Sequence, residues 1–382
     1  MTQYCPDVFK SVYIRRLDVD NIEVGFCCQN HVKKCKNSEL RDVLEIKRQS
    51  YLKIPKDSQC KLCWDVEDHK GSSRRQAAIE WYSHHSIPFD NQEQLVSLDW
   101  NSDNICNLAC ITCGPFFSSR WSSEIGNHTW QESRRYDYSI RKNSVVDSLD
   151  FSAIQRVYFN GGEPFMSQDH IEILNRIDKQ GRLPQCEISY NTNGTHQIPL
   201  SCLNLLRKAR LVRISISIDA IGKEFDYIRW PGKWSKIEEF IQELQFLDFN
   251  VILDITCTVG IHNVFSLDKL IDWHENTCSH NIQGDPVSLN IQTVGPISHG
   301  GKVLSLANVS PTLAQSVITY LELIKHRHNQ IDYLIQCVST SSGDDLQWIN
   351  YLDELDKKRC TRWQDYLPVL YQELSKLNNS GK

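Results

Sequence analysis

From residue 95 to about 294, short runs that read as strands alternate with longer runs that read as helices, and no other feature constrains the fold as tightly. The strand-like runs are 96–100, 156–159, 187–191, 212–218, 251–259 and 288–294, with helix-like runs at 167–179, 199–208, 235–247 and 264–274. Strand, helix, strand in succession implies parallel strands joined by right-handed crossovers. Six such strands, where a closed barrel needs eight, predict an α/β fold built on a partial, open (β/α)6 TIM-like barrel. At 382 residues the chain can hold this and a smaller unit, with a core that needs no disulfide staples.

The first of these strands runs into Cys106-Asn107-Leu108-Ala109-Cys110-Ile111-Thr112-Cys113. Three cysteines at spacings of four and three residues can converge on one metal centre from a single loop, leaving a coordination position that protein does not fill. On a 4Fe-4S cluster, three thiolates leave one iron open to a substrate or cofactor. Close cysteines also make zinc sites, core thiols and redox thiols, so spacing alone leaves those readings open. The position is informative, because parallel barrels gather their chemistry at the carboxyl ends of strands.

The chain carries fifteen cysteines, and Cys5, Cys27, Cys28, Cys35, Cys60 and Cys63 all fall within the first 92 residues. Residues 1–13 lack an apolar signal core and no run of eighteen apolar residues occurs, which predicts a cytoplasmic protein without a membrane span. Reducing conditions disfavour disulfides, so metal ligation is the natural explanation for the clustered cysteines. Segments 9–14 and 22–27 read as strands joined around Asp18-Val19-Asp20-Asn21, a hairpin that would bring Cys5 near Cys27 and Cys28. With the C-x-x-C knuckle Cys60-Lys61-Leu62-Cys63 this supplies a four-ligand site, for zinc or for a cluster alike. Cys35 reads as a free thiol. Arg74 and Arg75 read either as a solvated helix start or as a contact to an acidic or phosphate group near the metal. A net charge of −5 without long Lys and Arg runs argues against binding extended nucleic acid.

Each later strand also ends in polar residues. The second runs into Asn160-Gly161-Gly162-Glu163-Pro164, where two glycines allow close backbone approach to a ligand and Glu163 offers a carboxylate to an amino group. The third runs into Asn191-Thr192-Asn193-Gly194, and the fourth ends Ser215-Ile216-Ser217-Ile218-Asp219, with Ser215, Ser217 and Asp219 on one face. The fifth carries Thr256-Cys257-Thr258-Val259, and Cys257 is expected on the barrel face.

Taken in order, the three-cysteine loop, Gly-Gly-Glu-Pro, Asn-Thr-Asn-Gly and Ser-Ile-Asp resemble the radical S-adenosylmethionine (radical SAM) enzymes. The amino-terminal cysteines make the chain look like members with an auxiliary-cluster region of the SPASM or twitch type, here placed before the barrel. The resemblance implies that Cys106, Cys110 and Cys113 bind a 4Fe-4S cluster whose open iron is chelated by S-adenosylmethionine. It also implies that Gly161, Gly162 and Glu163 hold the amino group of that cofactor, that Asn191 and Asn193 lie near its ribose, and that Ser217 and Asp219 face the same cavity. The backbone around Val259 would pass the adenine. Reductive cleavage would yield a 5′-deoxyadenosyl radical that removes a substrate hydrogen atom.

Thr112 departs from the family pattern, in which many members carry an aromatic residue before the third cysteine. The auxiliary cysteines are fewer than a full SPASM set, which implies one auxiliary 4Fe-4S cluster, held by Cys5, Cys28, Cys60 and Cys63 with Cys27 competing for one place. Arg229 is the expected substrate-contacting cation, against the alternative of packing on Trp230 or Trp234. The expected organisation is an auxiliary region at 1–92, the barrel at 93–300 and a helical segment at 301–382, where Ser310-Pro311 caps a helix with Leu313, Val317, Leu321 and Ile324 on its buried stripe. The expected substrate is a peptide or protein side chain, with a sugar or nucleotide derivative second and an electron donor such as flavodoxin or ferredoxin as partner. The rival from another class is a non-catalytic zinc or iron-sulfur binding protein.

Overall fold

The computed structural model describes residues 4–17, 20–28, 32–53, 60–68, 73–90, 92–101, 103–125, 144–281, 284–295 and 298–380. Nine strands are present: β1 (Ser11–Arg16), β2 (Asn21–Gly25), β3 (Lys33–Lys36), β4 (Ser97–Asn101), β5 (Arg156–Asn160), β6 (Glu187–Thr192), β7 (Leu211–Ser217), β8 (Val251–Val259) and β9 (Ser288–Thr293). All six strands read from the alternation are among them, within two residues at either end. The fold is α/β with parallel strands, and it is not a closed barrel, since β3 and β9 are both edge strands.

The chain divides into two compact units: Met1–Asp103, Arg135–Tyr190 and Ile198–Arg213 form the first, and Asn104–Arg134, Asn191–Gln197 and Ile214–Lys382 the second. In the first unit the strand order is β3-β2-β1-β4-β5-β6. The amino-terminal hairpin is antiparallel as expected, with Tyr13 opposite Gly25 and Arg16 opposite Ile22. Residues 18 and 19 of its expected turn lie outside the described residues. Two features were not read from the sequence. β3 adds to the outer edge of β2, burying Cys35, and β1 pairs in parallel with β4, Tyr13 opposite Asp99. In that register Tyr13, Asp99 and Tyr158 form one row across three strands. The opposite face carries Ile14, Leu98, Trp100, Val157 and Phe159, all buried, as the period of two requires.

In the second unit β8 and β9 are parallel, Cys257 opposite Ile291. The helix Trp234–Gln245 buries Ile237, Phe240, Ile241 and Leu244, spaced three, four and seven residues from the first, which is one stripe of an amphipathic helix. At the carboxyl-terminal end Ser310 caps the helix Pro311–Ile324 through its side chain, and the expected Leu313, Val317, Leu321 and Ile324 are buried. Segment 127–150, polar and aromatic without clean periodicity, reads from the sequence as an insertion that would cover the site; it falls mostly outside the described residues, and the helical turn Ser144–Asp147 is the first described element within it. No helix among the described residues is long and apolar enough to cross a membrane.

Candidate functional site

The cysteine loop belongs to the second unit and is tied to a neighbouring segment by backbone: the Ala109 N–H donates to the Trp230 carbonyl and the Ile111 N–H to the Ile228 carbonyl, at 2.9 Å for the latter. A second brace comes from Asn193. Its amide donates to Asn107 Oδ1 at 2.9 Å and reaches Cys106 Sγ at 3.7 Å, while its Oδ1 accepts from the Thr195 N–H and hydroxyl. The three thiols are half-buried, and burial pushes Cys110 up and Cys113 up to about 12, opposed in both by the Arg229 guanidinium.

That guanidinium, expected to contact substrate, is instead in a buried ion pair with Asp219 at 2.8 Å. Its pKa is raised, the effect of Asp219 and of Cys110 outweighing burial. Asp219 in turn accepts from the Thr258 N–H at 2.8 Å, and its carbonyl accepts from the Asn263 amide at 2.8 Å. Arg229 and Asp219 therefore build the floor near the cysteine loop. Cys257, expected on the barrel face, lies beside the Arg229–Asp219 pair, its thiol 3.9 Å from the Asp219 carbonyl oxygen. It alternates with Leu253, Ile255 and Val259 on the apolar face of β8 and is fully buried, whereas Thr256 and Thr258 take the other face, where Thr256 meets Ser215 at 2.9 Å. Ser217 shares the Ser215 face, half-buried, and Asn191 is exposed at the end of β6.

In the first unit, Gly161 takes φ +126°, and a Cβ there would lie 2.9 Å from the Asp103 carbonyl oxygen. The Gly162 N–H donates to that same carbonyl at 3.0 Å. Glu163, buried, caps the turn that follows by accepting from the Phe165 N–H at 3.2 Å. The Gly-Gly pair thus lets the chain turn back against the end of β4, which no residue with a side chain would do without strain.

The amino-terminal cysteines also meet. Cys5, Cys27, Cys60 and Cys63 line one small pocket with Asp7, Tyr51, Arg74 and Arg75. The Cys5 N–H donates to the Tyr51 hydroxyl oxygen at 3.0 Å, and burial together with Asp7 and Cys27 holds the Cys5 thiol well above its usual range. Arg75 is tied to Glu67, 2.9 Å from Nε to Oε1, and lies 4.1 Å above the Trp64 ring. Arg74, also on the pocket, reaches past it to lie 3.4 Å from Cys28 Sγ and 3.5 Å from Asp99 Oδ2. Of the two adjacent cysteines, Cys27 is on the pocket and Cys28 is beside Arg74. Asp99 also accepts from Asn160 at 2.7 Å, and burial lifts its carboxyl to about 6 against the pull of Arg74.

Among the described residues no three His, Cys, Asp or Glu side chains close on a point as ligands of a single ion do. The donor chemistry fits a cluster, whose thiolates attach to different irons: three soft sulfur donors, those of Cys110 and Cys113 desolvated, with a guanidinium nearby to offset negative charge. Burial alone opposes bare thiolates, and a bound iron centre removes that cost.

Residues 100–273 match the model of the radical SAM superfamily. Among curated proteins, the GTP 3′,8-cyclase of Listeria welshimeri is 24% identical over 204 residues, 51% of this chain and 53% of that protein. The mycofactocin maturase MftC of Mycobacterium ulcerans is 24% identical over 229 residues, 59% of this chain and 54% of that protein. The chain thus spans about half the length of the curated relatives it matches. Among solved structures, anSMEcpe with bound AdoMet aligns at a TM-score of 0.42 and 16% identity, over 65% of this chain and 61% of that one. Streptococcus suis SuiB bound to precursor peptide SuiA aligns at 0.39 and 11%, over 83% and 69%. With the cysteine loop leaving β4 inside the matched region, residues 100–273 of the chain form a domain of the radical S-adenosylmethionine superfamily.

Proposed function

We propose that the chain uses S-adenosylmethionine and a 4Fe-4S cluster on Cys106, Cys110 and Cys113 to remove a hydrogen atom from a peptide or protein side chain. The observation that carries this reading is the loop itself: three thiols on one backbone-braced turn, those of Cys110 and Cys113 desolvated, with the Arg229 guanidinium nearby. When bound, the cluster and its cofactor supply a 5′-deoxyadenosyl radical. The residues of the chain do the rest by position. Gly161 and Gly162 leave room for backbone approach, and Glu163 is the carboxylate for the cofactor's amino group. Asn191 is the group for its ribose, and the backbone at Val259 passes its adenine. Ser217 lines the cavity. Asp219 and Asn193 are positioning residues, the first through Arg229 and the second through the cysteine loop.

A second cluster, on Cys5, Cys27, Cys60 and Cys63, completes the reading, and the pocket these four line with two arginines supports it. The peptide substrate is favoured by that auxiliary site and by the mycofactocin maturase among the relatives. A nucleotide is the second reading, favoured by the GTP 3′,8-cyclases. The electron would come from a flavodoxin or ferredoxin. The test is metal analysis of anaerobically reconstituted protein with Cys106, Cys110 and Cys113 changed to Ala, alongside 5′-deoxyadenosine formation by the wild type. Retention of roughly four irons in the variant and cleavage by the wild type are expected. Zinc without iron in the variant would remove the second cluster, and no cleavage by a loaded, reduced wild type would remove the activity.

A further inference from the structure

Five consecutive carbonyls of the cysteine loop each accept a hydrogen bond from a side chain. Leu108 O accepts from the Ser118 hydroxyl and Cys110 O from Trp121 Nε1 at 2.8 Å, both donors just downstream of the loop. The other three donors come from far along the chain. Arg359 Nη2 donates to Ala109 O at 2.8 Å, the Tyr351 hydroxyl to Ile111 O at 2.6 Å and the Ser298 hydroxyl to Thr112 O at 2.6 Å. Tyr351 and Arg359 sit on one helix, Asp345–Arg359, and both are buried.

This contact is built, not incidental. Arg359 is fixed from its other side by Glu124 at 2.7 Å and lies 5.1 Å from the Trp121 ring centre. The short helix His299–Val303 carries Gly300 and Gly301 where it meets the loop, and a Cβ on Gly300 would collide with both the Ile111 carbonyl oxygen and the Tyr351 hydroxyl. The glycine leaves the space in which that hydrogen bond forms.

A trans peptide plane points its C=O and N–H in opposite directions. Pulling Ala109 O toward Arg359 turns the Cys110 N–H away from it. Pulling Ile111 O toward Tyr351 turns the Thr112 N–H likewise away from the helix. Each donor offsets the negative end of a peptide dipole in the loop, an arrangement that favours negative charge on the thiols.

We infer that Tyr351 and Arg359 are positioning residues of the radical-generating centre, holding the peptide planes of the cysteine loop and offsetting its carbonyl dipoles so that the reduction potential of its cluster is raised. This rests on the reading that Cys106, Cys110 and Cys113 hold that cluster. Hydrogen bonds to the sulfurs are among the terms that set such potentials, and the carboxyl-terminal helix thereby becomes part of the catalytic apparatus.

The experiment is a redox titration of full-length reconstituted protein, followed by electron paramagnetic resonance of the signal that added S-adenosylmethionine perturbs. Tyr351→Phe should keep its iron and show a tenfold lower ratio of reduced to oxidised cluster at the wild-type midpoint, about 59 mV for one electron. An unchanged midpoint and line shape with full iron would overturn the inference. If Tyr351→Phe does not load iron, Arg359→Lys and Arg359→Gln answer the same question. Lys retains a cationic donor for Ala109 O, so a wild-type midpoint for Lys and a lowered one for Gln support the inference, and equal midpoints overturn it. The underlying reading fails separately, if the same signal survives in protein with Cys106, Cys110 and Cys113 changed to Ala.

Discussion

Arg229→Met separates two roles for this residue by stability. Its side chain is 11% exposed and that of its partner Asp219 0%, at 2.8 Å. Methionine keeps much of the arginine volume but strands the carboxylate in a fully buried site. Breaking a buried pair from one side costs ~3–5 kcal/mol. Asp219 keeps its hydrogen bond from the Thr258 N–H, and such a bond to a charged group retains ~1.5–3 kcal/mol, so the loss should fall near the lower end, about 3 kcal/mol. That is roughly a hundredfold in the folded-to-unfolded ratio. The double variant Arg229→Met/Asp219→Asn removes the stranded charge and should regain at least ~1 kcal/mol of the loss, since replacing both partners of a buried pair is often close to neutral. Urea unfolding followed by tryptophan fluorescence is the assay, because a guanidinium salt would screen the interaction being measured. A single variant within ~0.5 kcal/mol of wild type, with only the substrate KM altered, would refute the argument and return Arg229 to the substrate.

Three further outcomes are expected. Cys27→Ala should lose the irons of the amino-terminal pocket while Cys28→Ala retains them, read by iron analysis in the background lacking Cys106, Cys110 and Cys113; the reverse result would exchange their roles. Gly161→Ala should cost ~1–3 kcal/mol, measured as a lowered Tm, because φ +126° and the Asp103 carbonyl both exclude a Cβ; an unchanged Tm would show that the turn relaxes. The Asp99 carboxyl has its pKa raised by burial to about 6 from an ordinary 3.8, so its contribution is fully present below pH 3.8 and is lost as pH rises through 6. Asp99→Asn should therefore gain on wild type by roughly 2.4 kcal/mol between pH 4 and 7, and a flat difference in urea midpoints across that range would contradict the assignment.

The sequence by itself determined the α/β class, because hydrophobic alternation with periods of two and of 3.6 residues is a local property that a single face of burial imposes. The six barrel strands, the Ser310 cap with its stripe of Leu313, Val317, Leu321 and Ile324, and the three-cysteine loop behind β4 all followed from neighbours within a dozen residues. Only the tertiary structure decided which of Cys27 and Cys28 joins the pocket, since adjacent side chains diverge and the pocket is completed by residues from four other segments. It also set Cys257 beside the Asp219 carbonyl, 38 residues away in the chain, and it paired Arg229 with Asp219. The contacts from Tyr351 and Arg359 to the loop span 240 and 250 residues. A lone tyrosine or arginine on a helix has no spacing signal for a carbonyl so distant in the chain; that meeting exists only once the carboxyl-terminal helix has packed, where burying a carbonyl without a donor would cost ~1–3 kcal/mol.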